Sequence, residues 1–156
     1  MNDGVKGRPS LRYQLAGANA QRVGHAQPAP SNGPRVLVVD DDPDMTRLIA
    51  ATLSTQGIEC VAAYDALQGM VVAQKESPAL IIVDLHMPAG GGLKLLEKLG
   101  ASARTASIPV LVVTGDMTSD LPARAAALGA RGFLHKPVDL ARLVDSIKPH
   151  LSSPSA

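Results

Sequence analysis

The stretch Arg35-Val-Leu-Val-Val-Asp-Asp-Asp-Pro43 decides the architecture: a short apolar strand runs straight into three consecutive carboxylates. A strand apolar on every residue, instead of every second one, suits a position buried on both faces of a parallel sheet. The same grammar recurs along the chain. Ile58 to Ala63, Ala79-Leu-Ile-Ile-Val83, Pro109-Val-Leu-Val-Val113 and Gly132-Phe-Leu-His135 read as four further strands. Between them lie stretches of helical period. Asp44 to Gln56 sets Met45, Leu48, Ile49, Thr52 and Leu53 on one side, with Gly57 as the stop. Asp65 to Lys75 follows with Asp65 as N-cap, then Leu93 to Ala101, then Ser119 to Leu128 ending at Gly129. The last helix runs from Asp139 to about Lys148, with Asp139 as N-cap and Pro149 limiting it. Five β-α units in series predict an α/β fold, a five-stranded parallel sheet with helices on both faces.

Composition narrows the function. The chain has 156 residues, 46% apolar and 19% charged, with a net charge of +1, a length that suits one domain able to bury its own core. Near-neutral charge, no Trp, one Phe and two Tyr leave neither an electrostatic footprint nor a stacking platform for nucleic acid. The apolar runs fall far short of a bilayer span and no secretory signal stands at the N-terminus, so membrane insertion is not expected and a cytoplasmic location is. Cys60, the single cysteine, reads as core packing. Residues 1–34 carry Lys6, Arg8, Arg12 and Arg22 against Asp3 alone, and end in a Pro- and Ala-rich linker, whereas the rest of the chain is slightly acidic. They are expected to be a disordered, mildly basic tail, with 35–151 as the folded domain and 152–156 as a disordered C-terminal tail.

The unusual polar residues all fall at strand ends. Asp40, Asp41 and Asp42 follow the first strand, Asp84 the third, Thr114 the fourth, and Lys136 the fifth. In an open α/β sheet the carboxyl ends of the strands form the ligand crevice. Asp42-Pro43 is explained as a turn and helix entry. Asp40, Asp41 and Asp84 would crowd three negative charges into that crevice, and crowded carboxylates call for a cation. Hard oxygen ligands with room for water describe Mg²⁺ better than Ca²⁺ or zinc. A divalent ion together with Lys136 would balance the three acids. A carboxylate beside a metal, a Lys and a Thr hydroxyl is arranged to attack phosphorus and form an aspartyl-phosphate.

Four motifs, Val38-Val-Asp-Asp-Asp-Pro43, Val83-Asp-Leu-His-Met-Pro88, Val113-Thr-Gly115 and His135-Lys-Pro137, together resemble the receiver domain of bacterial two-component response regulators, of the single-domain, chemotaxis-regulator-like type. The match covers about residues 35–151. The resemblance implies a flavodoxin-like fold with strand order 2-1-3-4-5. It implies that Asp84 is the phosphoacceptor, that Asp41 binds Mg²⁺ directly, that Asp40 binds it through water, and that the His86 backbone carbonyl is a further ligand. Lys136 would pair with the phosphoryl group, and Thr114 would bond to it on activation. Gly115 would leave the phosphoryl room, and the Lys136-Pro137 bond would be cis. Phe133 fills the aromatic switch position where a Tyr would offer a hydroxyl, and Ala89-Gly-Gly-Gly92 lacks the polar residue often found there, which suggests a mobile loop. His86, with Asp116 across the mouth, is a candidate for tuning the lifetime of the acyl phosphate. His135 is assigned no chemistry.

The expected function is thus a phosphorylation-controlled switch, a self-catalysed phosphoacceptor that does not act on a separate substrate. It would take the phosphoryl group from a sensor histidine kinase or a histidine phosphotransfer protein. With the chain ending at Ala156 soon after the last helix, output is expected to pass to a downstream protein. The family's surface for this is the fourth helix, fifth strand and fifth helix, here decorated by Arg124, Arg131 and Arg142. Alternatives are a pseudo-receiver binding module, which the intact acid pair, acceptor, Thr and Lys oppose, and an aspartate-nucleophile phosphatase, which would want an acid where His86 stands. A DNA-binding regulator finds no helix-turn-helix, and a flavin carrier finds acids where a phosphate-binding loop would be needed.

Overall fold

The computed structural model describes residues 33–115 and 117–151, and the backbone of Gln21–Arg22. In chain order the strands are β1 (Gln21–Arg22), β2 (Arg35–Val39), β3 (Glu59–Ala63), β4 (Leu80–Asp84), β5 (Val110–Thr114) and β6 (Gly132–His135). The helices are α1 (Pro43–Ser54), α2 (Ala66–Glu76), α3 (Gly91–Ala101), α4 (Leu121–Ala127) and α5 (Leu140–Leu151). The sheet order is β1-β3-β2-β4-β5-β6. Strands β2 to β6 are mutually parallel, and numbered among themselves they follow the expected 2-1-3-4-5.

Strand β1 was not expected. It pairs antiparallel with β3, Gln21 opposite Ala62 and Arg22 opposite Val61, and so gives backbone partners to part of the sheet edge. Two residues flanked by polar, aperiodic sequence carry no hydrophobic pattern, so this pairing had no signal to read. The remainder of 1–32, and all of 152–156, lie outside the described residues.

Alternation along each buried strand feeds two cores. Leu37, Val39, Ile81, Val83 and Val112 face Val72 and Ala73 of α2, Leu95, Leu96 and Leu99 of α3, and Ala125 of α4. Val36, Val38, Ile82, Leu111 and Val113 face Ile49 and Leu53 of α1 and Leu143, Val144 and Ile147 of α5. Most of these side chains are at or near zero exposure, and each fully buried Val, Leu or Ile contributes about 1.5–3 kcal/mol of transfer free energy. At the start of β2, Arg35 ties the start of β3 to the end of α2. Its Nε lies 2.6 Å from Glu59 and its Nη1 2.9 Å from Glu76, both carboxylates nearly buried.

Local chemistry sets the helix ends. Asp42 caps α1, accepting from the Asp44 N–H at 2.9 Å, and Pro43 follows at the first helical position. Asp65 caps α2 by accepting from the Gln68 N–H, and the Gln68 side chain reaches back to the Tyr64 N–H. Two helix ends differ from expectation. Helix α5 runs through Pro149 to Leu151, and the partly buried Leu151 packs against the α1/α5 core. Pro88–Gly90 forms a 3₁₀ turn, with Ala89 at φ +61° and Gly90 at φ +67°, and Gly91 and Gly92 open α3.

Candidate functional site

Each site residue stands where a strand ends and its backbone is still held by the sheet. The Asp40 N–H donates to the Ala63 carbonyl at 3.1 Å, Leu85 N–H to Val113 at 3.0 Å, and Lys136 N–H to Thr114 at 2.9 Å. These bonds continue the ladder just past β2, β4 and β6, so the polar side chains sit on rigid backbone.

Asp40, Asp41 and Asp84 each offer a carboxylate oxygen, and those oxygens all lie within 4.8 Å of one another. Asp40 and Asp84 are buried and Asp41 is exposed, which leaves one side of the cluster open to water. Lys136 is the adjoining cation. Its Nζ is 3.1 Å from Asp84 Oδ2 and 3.7 Å from Asp40 Oδ2. Burial, reinforced by the Asp84 charge, pushes the Asp40 carboxyl up to about 6, although the Asp42 N–H and Lys136 pull the other way. For Lys136, burial opposes its charge, but Asp40 and Asp84 outweigh that and its pKa is raised. Lys136 thus does not offset what burial costs the Asp40 charge. All-oxygen donors with an exposed face and surplus negative charge fit a hard divalent cation such as Mg²⁺.

Thr114 ends β5 fully buried. His86, two residues beyond Asp84, links the two: its backbone N–H donates to Asp84 Oδ1 at 2.9 Å, and its ring Nε2 lies 2.9 Å from Thr114 Oγ1. Sequence reasoning placed His86 at the site through its backbone carbonyl and as a candidate for tuning acyl-phosphate lifetime, but did not foresee its bond to Thr114, which depends on a rotamer that spacing does not encode. Gly92 was also missed. A Cβ there would come within 2.6 Å of the Asp84 carbonyl oxygen and 2.8 Å of the Leu85 Cα, so the start of α3 rests directly on the Asp84 backbone. A Gly beside another Gly just before a helical pattern was the available signal. At Gly115 an added Cβ would meet open space. The Lys136–Pro137 peptide is cis.

On the neighbouring edge Phe133 is half-buried against the α2/α3/α4 core. A cleft of about 390 Å³ opens there between Met117, Phe133, Leu134, His135, Asp139 and Arg142. Arg124, Arg131 and Arg142 are all exposed. Asp116 lies outside the described residues. No described helix is long and apolar enough to cross a membrane.

Comparison with known proteins agrees with this geometry. Residues 36–148 match the response regulator receiver domain. The chain is 31% identical over 115 residues to the DNA-binding dual master transcriptional regulator RpaA of Synechocystis, a match covering 74% of this chain but 48% of RpaA. It thus spans about half of that regulator, and the regulator's activity as a whole does not transfer with the match. With protein PilH of Pseudomonas aeruginosa it shares 31% identity over 118 residues, covering 76% of this chain and 98% of PilH. The structure of the chemotaxis response regulator CheY4 of Vibrio cholerae superposes with a TM-score of 0.71 at 27% identity, over 77% of this chain and all of CheY4. The chain belongs to the response regulator receiver domain family, whose members are phosphorylation-controlled switches of two-component signalling that work with histidine kinases and downstream targets.

Proposed function

We propose that Asp84 is the phosphoacceptor of this receiver and that Asp40, Asp41, Thr114 and Lys136 serve the transfer. The supporting observation is one buried carboxylate with two acids within 4.8 Å on one side and an ammonium at 3.1 Å on the other. In the transfer, an Asp84 oxygen attacks phosphorus in line while the bond from phosphorus to the donor imidazole nitrogen breaks, and that nitrogen leaves with the electron pair. Lys136 offsets charge on the phosphoryl oxygens, and Thr114 offers them a hydroxyl. Asp40, Asp41, Asp84 and the His86 carbonyl would hold Mg²⁺, which when bound supplies further neutralisation of those oxygens. Once Asp84 is an acyl phosphate its carboxylate charge is gone, and Lys136, 3.1 Å from Asp84 Oδ2, turns to the charge on the phosphoryl group.

The phosphoryl donor is a sensor histidine kinase or a histidine phosphotransfer protein, and the setting is the cytoplasm. The signal leaves through the surface built by α4, β6 and α5, where the Phe133 cleft and the three exposed arginines lie. Phe133 serves there as the switch aromatic, without a hydroxyl.

Intact-mass spectrometry after incubation with a small acyl phosphate, with and without Mg²⁺, tests the assignment. The expected result is a Mg²⁺-dependent gain of one phosphoryl group that Asp84→Asn abolishes. A gain that survives in Asp84→Asn overturns it. So does the absence of a gain in the wild type together with no beryllofluoride-induced change in its NMR spectrum.

A further inference from the structure

The His86 side chain has no place in the transfer just described, yet it makes a specific contact. His86 is anchored at one end by its N–H bond to Asp84 Oδ1. At the other end its Nε2 lies 2.9 Å from Thr114 Oγ1. Its ring is on the exposed side of the site, whereas Thr114 is fully buried at the end of β5. A buried hydroxyl held by sheet backbone has few directions to point in, and it carries a single proton.

We propose that His86 is a positioning residue that latches Thr114 in the unphosphorylated state. The imidazole holds the Thr114 hydroxyl at 2.9 Å, and a move of that hydroxyl to a phosphoryl oxygen gives up this bond. The latch rests on the assignment of Asp84 and Thr114 above and adds a setting of the resting equilibrium. When the competent arrangement is populated only in part, the apparent affinity for a phosphoryl group falls by that fraction, and removing the latch restores it. Tuning of acyl-phosphate lifetime by solvent access to the acceptor makes no such demand on affinity.

The experiment measures beryllofluoride binding in excess Mg²⁺ for the wild type, His86→Ala, Thr114→Ala and the double variant. His86→Ala is expected to tighten binding about 2- to 10-fold, the range expected when one net hydrogen bond is no longer broken. In the Thr114→Ala background the same change should have no effect, because there is no hydroxyl to latch. A second readout needs no phosphoryl chemistry. Three-bond couplings to the Thr114 methyl in metal-free protein should report a single χ1 rotamer in the wild type and a changed rotamer distribution in His86→Ala. Unchanged or weaker beryllofluoride binding in His86→Ala overturns the latch, as does an effect that persists without the Thr114 hydroxyl or rotamer averaging in the wild type. Failure of the wild type to bind beryllofluoride at all would refute the phosphoacceptor reading instead, and the couplings would then decide the latch alone.

Discussion

Replacing Asp40 by Asn should make the metal-free protein more stable at neutral pH, although it removes a buried group from the centre of the site. The Asp40 carboxyl titrates at about 6 instead of 3.8, a rise of about two units, and each unit corresponds to about 1.4 kcal/mol. The ionised form thus costs the fold about 3 kcal/mol, a balance that already includes the attraction of Lys136. Because the folded state holds the proton more tightly, it binds more protons than the unfolded chain between about pH 4 and 6. Stability therefore falls as pH rises through that window and stays level above it. Asn carries no charge to desolvate, and its side-chain oxygen can still accept from the Asp42 N–H that Asp40 Oδ1 accepts from at 2.9 Å. Urea unfolding followed by circular dichroism suits a chain without Trp. We expect Asp40→Asn to gain about 1–3 kcal/mol at pH 7.5 without divalent ions, and the gain to shrink towards zero near pH 4. Saturating Mg²⁺ should narrow or reverse it, since the wild type binds the ion better and is stabilised by mass action. An Asn variant equal to or weaker than the wild type at pH 7.5, or a gain independent of pH, refutes the reasoning.

Three further outcomes are expected. Gly92→Ala puts a methyl 2.6 Å from the Asp84 carbonyl oxygen, so it should lower stability by about 1–3 kcal/mol in urea unfolding and slow phosphoryl uptake from a small acyl phosphate. Arg35→Ala takes the guanidinium away from Glu59 and Glu76, whose side chains are only 7% and 4% exposed. Loss of about 3 kcal/mol is expected in urea unfolding at pH 7.5. The Cys60 thiol, pushed up to about 12 by burial with the Glu59 charge adding to it, should be alkylated by iodoacetamide at least 10²-fold more slowly in native protein than in urea.

The parts of the molecule that were legible are those that repeat a physical rule. Every buried strand announced itself as an apolar run, because a strand covered on both faces has no polar side. The acids, Thr114 and Lys136 were legible as a group because a strand end is where such a sheet presents chemistry. Asp42 and Asp65 were legible because a helix start leaves N–H groups that a carboxylate can take. What escaped depends on approach between distant atoms. Gly92 looked like slack because its intrinsic preference is for flexibility, and only the nearby Asp84 carbonyl makes it a requirement. Pro149 looked like a stop because the local rule forbids it, yet the helix continues to Leu151, which packs against the α1/α5 core. The two-residue pairing of Gln21–Arg22 has no pattern of its own. The bond between His86 and Thr114 joins residues 28 positions apart in sequence through a rotamer.

Phe133 and Leu134 are neighbours in sequence on the last strand, yet one packs into the core beneath α4 and the other into the core beneath α5. Other strands alternate in the same way, but β6 is the last strand of the sheet, and Phe133 and Leu134 both line the cleft there. A protein seated across this cleft touches both layers at once. Four residues of strand suffice for this, and the strand begins one residue from Arg131 and ends one residue from Lys136, so the ammonium paired with Asp84 is continuous in backbone with the surface that a partner would read.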